Sequence, residues 1–160
     1  MSELLDENDR VYRRVKITDP NQWDEKANAP LLFAFGLRKL PKAEWRDKSE
    51  GKSRKYERAL SVDDARQRTP GESLVCAGDK FRVVGLRVAD LIAAGYQVVR
   101  DPQPAYTNAA NEACPENPAH CLVSVQSGDP LYDSKGKETL CALAWEVDQE
   151  SVAFVQPYAR

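Results

Sequence analysis

A chain of 160 residues, 42% hydrophobic and 30% charged, fits one globular domain with a proper core. Its formal net charge of −2 gives the whole molecule no strong pull toward nucleic acid or an anionic membrane. No apolar run approaches the ~18 residues of a membrane span. The acidic start MSELLDENDR lacks the basic and apolar regions of a secretory signal, so the expectation is a cytoplasmic protein without a membrane role.

RVYRRVKI (10–17) alternates: Val11, Arg13 and Val15 fall on one side, Tyr12, Arg14 and Lys16 on the other. That period predicts a strand. TDPNQWDEKANAP reads as a loop with turn chemistry and room for one helical turn, and the apolar LLFAFGL (31–37) as a buried strand, with a helix start as the alternative. Pro41 is placed to open a short helix through about Arg46. The following KSEGKSRK has the composition of a mobile exposed loop. ALSV (59–62) enters a strand. Ser61 and Asp64 carry capping-box spacing, which predicts a short helix to Arg68 that Thr69-Pro70 stops.

The clearest unit is KFRVVGLRVADLIAAGYQVVRDP. Residues 81–86 suit a strand. Val88, Leu91 and Ile92 make the apolar stripe of a short helix, Gly95 ends it, and 96–101 is a second strand that Pro102 closes. Residues 102–119 form a long loop. HCLVSVQ (120–126) is a strand, KGKETLCALAWEV a helix and SVAFVQP (151–157) a closing strand. The expected fold is a single α+β domain over 1–160, with a mixed sheet of about five strands and two or three short helices. The segment 38–58 is a basic, mobile insertion.

YRRV, FAF, LSV, VVRDP and NPAHCLV, in that order, resemble the ordered motifs of a family of small bacterial proteins with no established activity. The resemblance spans roughly residues 11–126 and implies a compact bacterial cytoplasmic domain. PLLFAF departs from the family's pattern. Leu32 and Phe33 stand where relatives tend to carry hydroxyl residues.

Charge is unevenly placed. Residues 38–58 hold nine Lys/Arg against four Asp/Glu, a net of +5, and 101–150 nine Asp/Glu against two Lys, a net of −7. Arg38, Lys39, Trp45, Arg54, Lys55 and Tyr56 are candidate binding residues, because cations interleaved with aromatics suit phosphates and bases. A solvated charged loop is the plainer reading.

His120 is the single histidine. If 96–101 and 120–126 are neighbouring antiparallel strands, Asp101 lies beside it at the loop base. A carboxylate there orients an imidazole as a general base; the plainer reading is a polar contact closing a turn. Arg13 and Arg100 are the candidate anion-binding arginines, with a structural Arg13–Asp101 ion pair as the plainer alternative.

The cysteines at 76, 114, 121 and 141 read as free thiols rather than a disulfide framework, with a Cys114–Cys121 bridge only under oxidation. A metal site is not expected. Cys114 and Cys121 have the wrong spacing for a zinc knuckle, and adjacent His120 and Cys121 point to opposite faces of a strand. No cofactor is expected.

The favoured function is a non-enzymatic protein-binding or regulatory module of a multi-gene system, since no complete catalytic constellation accompanies the histidine. Nucleic-acid contact through 38–58 is the weaker partner option. The alternative is a small hydrolase, nuclease or transferase with His120 as base, Asp101 orienting it and Arg13 or Arg100 holding an anion.

Overall fold

A computed structural model of the chain describes residues 4–36, 59–75, 80–107, 111–126, 134–151 and 153–159, and the backbone of 46–47 and 52–53. In chain order the elements are β1 (Arg10–Lys16), the short strands β2 (Trp23–Asp24) and β3 (Ala29–Pro30), a 3-10 turn (Leu32–Phe35), the short strands β4 (Arg46–Asp47) and β5 (Lys52–Ser53), and β6 (Leu60–Asp64). Helix α1 (Pro70–Ser73), β7 (Phe81–Arg87), α2 (Val88–Ala93) and β8 (Tyr96–Arg100) come next. The chain closes with β9 (Tyr106–Thr107), β10 (Ala113–Cys114), β11 (His120–Val125), α3 (Ser134–Leu143), β12 (Trp145–Val147) and β13 (Phe154–Pro157).

Seven strands form one sheet in the order β13-β12-β7-β1-β6-β11-β8. Every pairing in it is antiparallel. The expectation of a mixed, roughly five-stranded sheet is corrected on both counts, while the α+β class and the short helices stand. Four reversals separate β7 from β8, so the two run the same way. Three strands lie between them, and the strand–helix–strand unit makes a long crossover rather than a parallel pair. No helix among the described residues is long and apolar enough to cross a membrane.

Alternation gives the sheet two unlike faces. On the first, Val11, Val15, Leu60, Val62, Val84, Leu86, Val98, Cys121 and Val123 pack with residues of α2, α3 and the 3-10 turn into the main core. On the second, a smaller cluster of Tyr12, Val83 and Val147 takes in Leu74 and Phe154. Arg14, Ser61, Asp63 and His120 share this second face with Tyr12, because directly opposite residues of antiparallel strands point the same way.

Several local expectations are overturned. LLFAFGL is not a strand: Ala34 N–H donates to the Leu31 carbonyl at 3.0 Å, winding a 3-10 turn that buries Ala34 and Phe35 and leaves Phe33 exposed. Two buried neighbours are a helical pattern, and alternation was absent from the start.

The Ser61–Asp64 spacing caps nothing, since β6 runs through Asp64. The capping box forms at Thr69 instead. Its Oγ1 accepts from Glu72 N–H at 3.2 Å, and Glu72 Oε1 accepts from Thr69 N–H at 3.0 Å. Thr69-Pro70 therefore starts a helix, with proline at the position that needs no donor.

Helix α3 ends at Leu143. Residues 145–147 become a strand that carries Val147 to the second face. Gly95, at φ +95°, supplies the left-handed residue between α2 and β8. The loop 102–119 contains a two-stranded ribbon, β9 with β10. Within 38–58 only the β4–β5 pairing is described. The helix expected from Pro41 and the mobility of the segment lie outside the described residues.

Candidate functional site

Strands β8 and β11 are antiparallel neighbours with Arg100 opposite Cys121, so the next pair out is Asp101 and His120. Asp101 N–H donates to the His120 carbonyl at 2.9 Å. The imidazole Nδ1 lies 2.9 Å from the Asp101 carbonyl oxygen and 3.2 Å from its Oδ2. A carbonyl oxygen only accepts, so Nδ1 carries the hydrogen and the lone pair of the neutral ring sits on Nε2. Gln103 Nε2 also donates to Asp101 Oδ2, at 3.1 Å. The histidine side chain is only 12% exposed, so its ring orientation is held by packing as well as by Asp101.

Beyond Asp101, His120 continues a cross-strand row. His120 pairs with Asp63, Asp63 with Tyr12, Tyr12 with Gly85 and Gly85 with Trp145. The buried Asp63 is engaged on both oxygens: Asn117 Nδ2 donates to Oδ1 at 2.8 Å, and Arg68 Nη1 lies 3.8 Å from Oδ2. A shallow recess opens between the strands, lined by Tyr12, Arg14, Ser61, Val62, Asp63 and His120, with a volume of about 10 Å³. That is room for a single water or one oxygen of a larger group. The buried Tyr12 hydroxyl has no hydrogen-bond partner among the described residues. Burial pushes that phenol up from its usual pKa, with Arg10 opposing the shift and Asp64 adding to it.

The arginines expected beside the histidine lie elsewhere. Arg100 faces the other side of the sheet, where its Nη1 bonds the buried Asp64 carboxylate at 2.9 Å. Arg13 is also on that side. It donates to the carbonyls of Ala34 at 2.9 Å, Ser61 at 3.0 Å and Gly36 at 3.4 Å. The Arg13–Asp101 pair is not formed. β1 and β8 are three strand spacings apart, about 14 Å.

Arg14 is the arginine that lines the recess with His120. Period-two alternation placed Arg14 with Tyr12, but without the strand order nothing tied that face to His120. Asp63 was missed because Asp63-Asp64 read as part of a helix cap. The candidate binding residues Arg38, Lys39, Trp45, Arg54, Lys55 and Tyr56 lie outside the described residues.

His120 and Cys121 face opposite sides, as alternation requires. Cys121 is buried in the main core beside Val62. Cys114 is in a disulfide, while Cys121 and Cys141 are free thiols. The all-thiol expectation is thus corrected at Cys114, and Cys121 is not its partner. Cys76 lies outside the described residues.

Burial pushes the Cys121 thiol up to about 12, with the Asp64 carboxylate adding to it. A group so raised stays protonated through pH 9, and thiolate is the reactive form. Cys121 should therefore resist a thiol-modifying disulfide reagent at pH 8 in the native protein and react promptly in urea. Equal rates in the two states would contradict its placement.

Comparison with protein-family models, with curated proteins and with solved structures finds no match.

Proposed function

We propose that the protein is a non-enzymatic partner-binding module, an accessory or regulator in a multi-gene system, which docks another protein through the sheet face around His120. The observation that carries this reading is the size of the recess. At about 10 Å³ it accepts one atom-sized group, whereas sites that enclose a small substrate run to roughly 300–1,000 Å³. Around it lie a preset imidazole, the exposed Arg14 and the Tyr12 hydroxyl, which has no hydrogen-bond partner among the described residues. Such groups suit the fixed polar points of an open interface, which set register and specificity. The opposite charge of 38–58 and 101–150 favours a partner of complementary pattern.

Immobilised full-length protein should retain a partner that Arg14→Glu and His120→Ala lose. Glu138→Lys, at an exposed position of α3 behind the sheet, should keep it. Loss in all three variants, or in none, would remove this reading.

The acid–base reading has one observation in its favour, the Nδ1 contact with Asp101 that leaves Nε2 as the basic atom. Against it, Ser61 lines the recess yet makes no hydrogen bond to His120, so no nucleophile among the described residues is coupled to the base. Turnover of an ester or phosphodiester reporter that His120→Gln abolishes would replace the binding-only reading with the catalytic one.

A further inference from the structure

Arg10 and Arg87 sit directly opposite each other on β1 and β7. Both are exposed, and neither forms an ion pair among the described residues. Like charges opposite one another on antiparallel strands repel. In a fold that pairs Arg66 with Asp9, Arg68 with Asp63 and Arg100 with Asp64, this cationic pair stands without a carboxylate among the described residues.

The two arginines are nevertheless held in place. The Arg10 guanidinium lies 5.1 Å from the Phe154 ring centroid, and that of Arg87 lies 3.9 Å from the Trp145 centroid. The two rings are themselves neighbours, with centroids 6.2 Å apart. Phe154 in turn lies flat against Gly85, where even a Cβ would come within 2.3 Å of the ring. The aromatic platform is therefore fixed to the sheet. A guanidinium resting on a ring uses its face for that contact and keeps its N–H edges for an outside acceptor.

We infer that Arg10 and Arg87 form a binding site for a phosphoryl group. Two forks carrying two positive charges match a dianionic tetrahedral oxyanion, with each guanidinium donating to separate oxygens. A carboxylate, with one charge, neutralises only one of the two. The site shares no residue with the lining of the His120 recess and does not depend on how that recess is read. Free phosphate, a small phosphorylated metabolite and a nucleic-acid backbone all present this chemistry.

Calorimetric titration of the full chain with inorganic phosphate, at constant ionic strength set with chloride, tests it. Saturable millimolar binding is expected, weakened at least about tenfold in Arg10→Gln and in Arg87→Gln and absent in the double variant. Acetate should bind more weakly than phosphate. A single-stranded oligothymidylate that binds far more tightly than phosphate, with the same dependence on both arginines, assigns the group to a polymer. Equal affinity assigns it to a small ligand.

Absent or unsaturable phosphate binding, or binding that the double variant keeps, overturns the inference. If the glutamine variants fail to fold, Arg10→Lys/Arg87→Lys decides, since it keeps the charge and the stem. Weakened phosphate binding there supports the paired forks, and wild-type affinity overturns them.

Discussion

Asp64→Ala should cost about 3 kcal/mol of stability, a fall in melting temperature of roughly 6–12 °C for a domain of this size. Asp64 is 1% exposed and binds three groups. Its Oδ2 accepts from Arg100 Nη1 at 2.9 Å and from Gln67 Nε2 at 3.2 Å, and its Oδ1 accepts from Arg66 N–H at 3.0 Å. Removing the carboxylate orphans all three and leaves a guanidinium beside the main core. The loss stays at the lower end for a broken buried pair because the Arg100 side chain is 34% exposed and draws some hydration. Asp64→Asn keeps an acceptor for Arg66 and should lose less. Urea or thermal unfolding checks both, and a change within 2 °C for the alanine variant would mean the pair is not a structural tie.

Gly85→Ala is the second large effect, at about 2 kcal/mol. The added Cβ would stand 2.3, 2.5 and 2.8 Å from Cζ, Cε2 and Cε1 of Phe154, so the whole ring must lift. Lifting it disturbs Tyr12, 6.4 Å away between centroids, and Trp145. The near-ultraviolet circular dichroism should change along with the stability. In a Phe154→Leu background most of the Gly85→Ala penalty should disappear, because contacting residues are energetically coupled. Simple addition of the two single effects would contradict the ring's placement on Gly85.

Much of the architecture was legible in residue patterns. The alternation in RVYRRVKI and HCLVSVQ was strong enough to give β1 and β11, and the stripe at Val88 and Leu91 gave α2. Short segments misled where two signals compete. Thr69 and Ser61 both carry capping spacing, and only tertiary pairing of β6 with β1 and β11 decides between them. The run from Leu140 to Val147 keeps helical periodicity across a helix and a strand, because Ala144 and Val147 are both buried but on opposite faces.

The site followed the same division. Asp101 beside His120 required only that two adjacent strands pair, a nearly local inference. Arg14, Tyr12 and Asp63 required the order β1-β6-β11, which joins segments about 50 to 110 residues apart in the chain and leaves no short-range trace. Arg13 and Arg14 are one residue apart, yet face choice sends one to backbone carbonyls and the other to the recess.

At the proposed binding face the imidazole is preset by Asp101, with Nε2 left for a partner. Because His120 is the only histidine, nitrogen-15 spectroscopy of the imidazole side chain gives one assignable residue. At a pH where the ring is neutral, the hydrogen is expected on Nδ1 and the lone pair on Nε2, with Asp101→Ala relaxing this preference. A neutral ring with its hydrogen on Nε2 in the native protein would contradict it.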